Sequence, residues 1–124
     1  MTVHKATIIL DSIGKVPVRV KDAAGFALNR LLHSMYVEAA RLVDEGVCSM
    51  EDADKICRYG LNHPIGPFEL QDFTGLDINL AVQDILFAEY GERFRPSQLL
   101  EHEVYSGRLG RKTGAGFYDY TDRK

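Results

Sequence analysis

Several functional classes are excluded by what the sequence lacks. Cysteine occurs only twice, at Cys48 and Cys57. Neither belongs to a CxxC or Cys/His pattern, so a zinc module and a disulfide framework are both out, and reduced structural thiols in a cytoplasmic protein are expected. No apolar run approaches the roughly 20 residues of a membrane-spanning helix, and no signal peptide is visible. Positive charge is not in excess: 15 Lys and Arg stand against 18 Asp and Glu, a net charge of −3. That balance gives no footprint for nucleic acid or an anionic membrane, and neither partner is expected. The four histidines, His4, His33, His63 and His102, share no metal-ligand spacing, and no metal is expected. A nucleophile elbow, a Ser/His/Asp arrangement and internal repeats are all absent.

What remains is an ordinary globular chain of 124 residues, 45% hydrophobic and 27% charged, long enough for one domain with a sizeable core. Residues 1–21 differ from the rest. Val3, Ala6, Ile9, Leu10 and Ile13 follow helical spacing with Gly14 as a stop. Val16, Val18 and Val20 then alternate with Pro17, Arg19 and Lys21, the two-residue period of a strand. One helix and one strand read as the tail of an α/β unit. A lone strand has no ladder partner, so it belongs to a sheet completed elsewhere or pairs with another chain. A loosely ordered arm is the alternative.

From Gly25 onward the pattern is helical. Leu28, Leu31, Leu32, Met35, Ala39 and Leu42 form a stripe that ends at Gly46, with His33 on the opposite, solvated side. Ser49 with Asp52 is a capping signal for a helix to about Tyr59 and Gly60. Pro67 suits the first position of a helix through Thr74. Asp77 is a candidate cap for a helix ending at Gly91, and Pro96-Ser97 opens a last helix through Tyr105. Gly107, Gly110, Gly114 and Gly116 mark an ordered loop, and Phe117, Tyr118 and Tyr120 an aromatic tail that packs back. The sum is a mainly α chain of about five helices.

Three segments are candidates for function. Asn29 lies on the flank of the Leu28 stripe, in the first turn of its helix. There its amide either bonds a substrate carbonyl or hydroxyl, or caps a neighbouring loop. The segment Pro64-Ile65-Gly66-Pro67-Phe68-Glu69-Leu70 is a rigid apolar loop feeding a helix. It can form an acyl-pocket wall or simply connect two helices. Glu69 is favoured there by the helix dipole and needs no catalytic role, and His63 is the one histidine placed to act as an acid or base. In Leu109-Gly110-Arg111-Lys112-Thr113-Gly114-Ala115-Gly116-Phe117-Tyr118 the spacing fits neither a Walker loop nor a dinucleotide fingerprint. A structural loop is expected, with Arg111 or Lys112 near a ligand phosphate as the lesser alternative.

Taken in order, Lys21-Asp22 to Arg30, Pro64 to Leu70 with Gly75-Leu76-Asp77, and Gly107 to Tyr118 resemble the C-terminal domain of the 3-hydroxyacyl-CoA dehydrogenase family. The similarity runs from Gly14 to Tyr120. Ser34 departs from the family pattern, which usually has proline there. The resemblance implies a helical bundle like the C-terminal domain of 6-phosphogluconate dehydrogenase, preceded by one helix and one strand of a Rossmann domain. Residues 1–21 would end that NAD-binding domain, and residues 22–124 would form the helical substrate and dimerisation domain. The family enzyme oxidises an L-3-hydroxyacyl-CoA to a 3-ketoacyl-CoA and reduces NAD. Its catalytic histidine, the glutamate that orients it and a substrate-contacting serine lie in the nucleotide-binding domain, without counterparts here. The family's active-site asparagine matches Asn29, and Pro64, Ile65 and Leu70 match residues at the acyl end of the site. The resemblance further implies NAD bound by the other domain and none by this segment, an acyl-CoA substrate, a homodimer, and no turnover by these residues alone. A stand-alone helical association module, or the same fold serving another hydroxy acid, are the alternatives.

Overall fold

The computed structural model describes residues 5–10, 16–21 and 24–120. By its internal contacts the chain divides at Leu32/His33 into two units, each taken separately below.

In the first unit, β1 (Lys5–Leu10) and β2 (Val16–Lys21) form an antiparallel hairpin. The register runs from Lys5 opposite Lys21 to Leu10 opposite Val16, setting Ala6, Ile8 and Leu10 across from Val20, Val18 and Val16. The expected N-terminal helix is therefore a strand. Apolar spacing in so short a run fits either element, and three successive β-branched residues, Thr7-Ile8-Ile9, favour the extended one. The same pairing corrects the expectation that β2 lacks a partner within this chain, because β1 supplies its ladder. Val3, Ile13 and Gly14 lie outside the described residues.

Helix α1 (Ala24–Asp44) begins one residue before Gly25, so Asn29 sits in the second turn rather than the first. Its buried residues from His33 onward are His33, Tyr36, Val37, Ala39 and Ala40. The buried face is thus centred on positions 33, 36, 37 and 40, and not on the leucines: Leu28 and Leu31 are exposed, and Leu32, Met35 and Leu42 are only half-buried. His33, expected in solvent, is 1% exposed and packs edge-on against Tyr36 with ring centroids 5.0 Å apart. A stripe drawn through the leucines ranks the alanines and the histidine as peripheral and so misses this face.

The second unit holds the remaining helices. Ser49 caps α2 (Met50–Lys55) by accepting the Asp52 amide at 3.0 Å. The helix runs on as a π-helical turn, Ile56–Gly60, closed by Leu61 N donating to Ile56 O at 3.2 Å. Helix α3 (Pro67–Thr74) has proline at its first position, where the missing N–H costs nothing. Helix α4 (Leu76–Tyr90) starts from Gly75 and not from Asp77. Asp77 already lies in the first turn, with its carboxylate paired to Lys112 at 2.6 Å. A short 3₁₀ turn, Glu92–Phe94, leads to α5 (Gln98–Tyr105), capped by Ser97 accepting Leu100 N at 3.1 Å. Residues 107–120 form an ordered strap with a 3₁₀ turn at Arg111–Thr113 and bridges Gly110–Ala115 and Ala115–Asp119. The bundle of five α-helices expected from the sequence is present.

The core of this unit is Ala39, Ala53, Phe68, Leu76, Leu80, Leu100 and Phe117, with Val43, Met50 and Leu99 packed around it. Phe68 and Phe117 meet edge to face, their centroids 5.0 Å apart, so the aromatic tail does pack back. Cys48 and Cys57 are both free thiols.

Candidate functional site

Two buried carboxylates organise the second unit. Asp54 lies on the buried face of α2 and is 1% exposed. Its Oδ1 accepts Phe68 N at 2.8 Å and its Oδ2 accepts Glu69 N at 3.3 Å, the first-turn amides of α3. The helix is thus capped by a side chain from another helix, since its own N-cap, Gly66, has none. A Cβ at Gly66 would collide with the Asp54 side chain, so glycine there is the condition for the cap. Tyr118 Oη completes the arrangement by donating to Asp54 Oδ2 at 2.6 Å. Burial pushes the Asp54 carboxyl above its ordinary range, while the Tyr118 and Phe68 bonds pull it back. Burial, followed by the bond to Asp54, raises the Tyr118 phenol.

Asp72, also 1% exposed, does the same for the strap. It accepts Phe117 N at 2.8 Å, Tyr118 N at 3.0 Å and Tyr120 Oη at 2.7 Å. Gly110 and Gly116 lie so close to the Asp72 main chain and carboxylate that neither has room for a Cβ. The glycines of the strap therefore serve a backbone clamp. Its cations are engaged as well: Arg111 lies over Phe73 and Tyr120, Lys112 pairs with Asp77, and Arg108 holds Glu103 and the Gly116 carbonyl. The strap is thus an ordered structural loop, and one of its cations, Arg111, also lines the cleft described next.

Beside these clamps lies a cleft of about 380 Å³, lined by Asp54, Arg58, Glu69, Arg111, Tyr118 and Tyr120 among others. Arg58 and Glu69 pair across it at 2.6 Å. Of the residues the sequence singles out, Arg111 and Glu69 line it, whereas Asn29, Pro64, Ile65 and Leu70 do not. Pro64 is exposed, Ile65 and Leu70 are half-buried, and all three cluster along the loop and the first turn of α3. Half-buried His63 ties the loop down through its backbone N, which donates to Cys57 O at 2.9 Å. Asn29 is half-buried in the other unit. Asp54, Asp72, Tyr118 and Tyr120 escaped sequence reasoning. The available signal was an acid on an apolar helix face, Met50-Ala53-Asp54-Cys57, which must find donors somewhere.

Such an arrangement can hold and shape a site. Among the described residues, no group of three or more His, Cys, Asp or Glu is placed to hold a metal, and no helix is long and apolar enough to cross a membrane. Compared with known proteins, residues 25–120 match the family described as 3-hydroxyacyl-CoA dehydrogenase, C-terminal domain. The chain belongs to that family. This match takes in Asn29, the Pro64–Leu70 loop and the strap together. A probable 3-hydroxybutyryl-CoA dehydrogenase of Deinococcus radiodurans is 44% identical over 96% of the chain and 43% of its own length. The mitochondrial hydroxyacyl-coenzyme A dehydrogenase of Mus musculus is 42% identical over 88% of the chain and 35% of its own length. Among solved structures, FadB2 of M. tuberculosis matches with a TM-score of 0.74 at 42% identity, over 80% of this chain and 35% of that one. The chain thus spans about two fifths, or less, of the length of these relatives.

Proposed function

We propose that this chain is the helical C-terminal domain of an NAD-dependent L-3-hydroxyacyl-CoA dehydrogenase, interconverting 3-hydroxyacyl-CoA and 3-ketoacyl-CoA in fatty-acid or butanoate metabolism in the cytoplasm. The observation that carries this reading is the family match across residues 25–120, which includes every segment singled out for function. In this reading residues 1–21 belong to the nucleotide-binding lobe and residues 22–124 to the helical substrate domain. In this reading NAD is held by the other lobe, which brings the hydride acceptor to the substrate.

Within the domain the roles divide. Asn29 offers a carboxamide that donates to the oxygen of the reacting carbon and orients it. Pro64, Ile65 and Leu70 form the apolar wall against which the acyl chain lies. The proton-accepting base comes from the other lobe, so this domain alone turns nothing over. A test replaces Asn29 by Ala in the full-length dehydrogenase. Turnover should fall by about 10²-fold with little change in unfolding temperature, and the 124-residue chain alone should reduce no NAD with 3-hydroxybutyryl-CoA. Normal turnover accompanied by a loss of stability would assign the amide to a loop cap instead. A second reading, another hydroxy acid as substrate, draws on a solved diketoreductase acting on dicarbonyl compounds, 36% identical with a TM-score of 0.64. Comparing kcat/KM for acyl-CoA and free dicarbonyl substrates separates the two.

A further inference from the structure

The loop before α3 is held from three sides. At its start, His63 N donates to Cys57 O of the π-helical turn at 2.9 Å. Further along, Gly66 N donates to Glu69 Oε1 at 2.9 Å, and the other oxygen of Glu69 takes Arg58 Nη1 at 2.6 Å. From beneath, Asp54 caps Phe68 and Glu69 and fills the space a Gly66 side chain would need. The orientation of the Asp54 carboxylate is set in turn by Tyr118 Oη from the strap. The side chains this loop presents have little packing of their own: Pro64 is exposed and Ile65 half-buried. An apolar side chain at the surface keeps its place only if the backbone below it is fixed. A buried carboxylate is also a costly way to stop a helix where a serine at the N-cap position would serve. Here that position must stay glycine so that the loop can lie flat on α2.

We propose that Asp54, locked by Tyr118, is a positioning residue for the acyl-binding wall formed by Pro64, Ile65 and Leu70. This rests on the assignment of that wall made above. Asp54 touches no substrate; it acts by fixing the height and angle at which the loop meets the acyl chain. Its loss should therefore weaken substrate binding and spare the chemical step.

The decisive variant is Tyr118→Phe in the full-length dehydrogenase, which removes the lock and leaves both α3 amides capped. KM for 3-hydroxybutyryl-CoA should rise by about 5-fold while kcat stays within about 2-fold. Hydrogen exchange at the amides of His63 and Gly66 should quicken by about 10-fold with α4 unchanged. Asp54→Asn keeps one acceptor for Phe68 N and one polar group for Tyr118, so it should retain most of the wild-type KM, whereas Asp54→Ala should not. Ile65→Ala serves as the control for the wall itself. If Ile65→Ala raises KM and Tyr118→Phe does not, the wall stands and the role of Asp54 is overturned. If Ile65→Ala leaves KM unchanged, the wall reading fails and takes the proposal with it. Exchange that quickens equally in α4 would make Asp54 a stabilising cap only, which also overturns it.

Discussion

His33 occupies a position that a histidine holds comfortably only in its neutral form. Burial lowers its pKa from the ordinary 6.5 to about 4. The unfolded chain takes up a proton below pH 6.5 and the folded one resists until about 4, so this residue's contribution is fully present above pH 6.5 and is lost as pH falls towards 4. The full effect is on the order of 3 kcal/mol. Asp54 acts in the opposite sense, because a raised carboxyl is easier to protonate in the folded state and offsets part of the loss. Comparing wild type with His33→Leu cancels that contribution. Urea midpoints measured from pH 7 to pH 4 should fall more steeply for wild type than for the variant. Parallel curves would mean that His33 is solvated in the native state. A buried histidine was not legible beforehand, since a helical wheel ranks it polar and assigns it outward.

Among elements, the strap carries the strongest expectation. Asp72 satisfies three donors from residues 117–120, and in its absence the buried Phe117 N, the partly buried Tyr118 N and the Tyr120 hydroxyl each lose this acceptor. Asp72→Ala should cost on the order of 3 kcal/mol, as the loss of a buried charged acceptor generally does. In a chain of this size that is roughly 10–15 °C in Tm, read by thermal melting. Gly116→Ala should act in the same direction, because its Cβ would enter the space of the Asp72 carboxylate. A melting temperature unchanged by Asp72→Ala would show that the other anchors of the strap, Phe117 and the contacts of Arg108, Lys112 and Tyr118, hold it without Asp72. Local punctuation was the legible part of the fold: Ser49, Pro67, Gly91 and Ser97 each bound a helix where capping chemistry places them. Illegible were the features set by distant partners. Asp54 and Asp72 find their donors 14 to 64 positions away along the chain. The strand Lys5–Leu10 is extended because Val16–Lys21 pairs with it. Asn29, Pro64, Ile65 and Leu70 are singled out by kinship alone, since an amide on a helix flank and an apolar loop carry no chemistry of their own until another surface faces them.

At the scale of the molecule, α4 carries more apolar surface than its own unit can cover. Leu76, Leu80 and Leu86 are buried inward, yet Ile78 and Ile85 are 54% and 61% exposed, and Ala81 is exposed between them. Spacings of three, four and seven residues put these three on one face. A helix apolar on both sides is expected to be covered on both sides. The homodimer that the family resemblance implies would supply the cover: in a twofold arrangement the same stripe on each copy would meet its mate. Ile78→Glu with Ile85→Glu places two carboxylates on that face and leaves the Leu80–Leu100 core untouched. By analytical ultracentrifugation the wild-type protein should sediment as a dimer and the double variant as a monomer with its helical signal retained. A wild-type monomer at high micromolar concentration would leave the stripe uncovered and end the dimer assignment. Dissociation should also spare Asn29 and the Pro64–Leu70 loop, because neither lies on the α4 stripe, so a monomeric full-length variant should keep its KM for acyl-CoA.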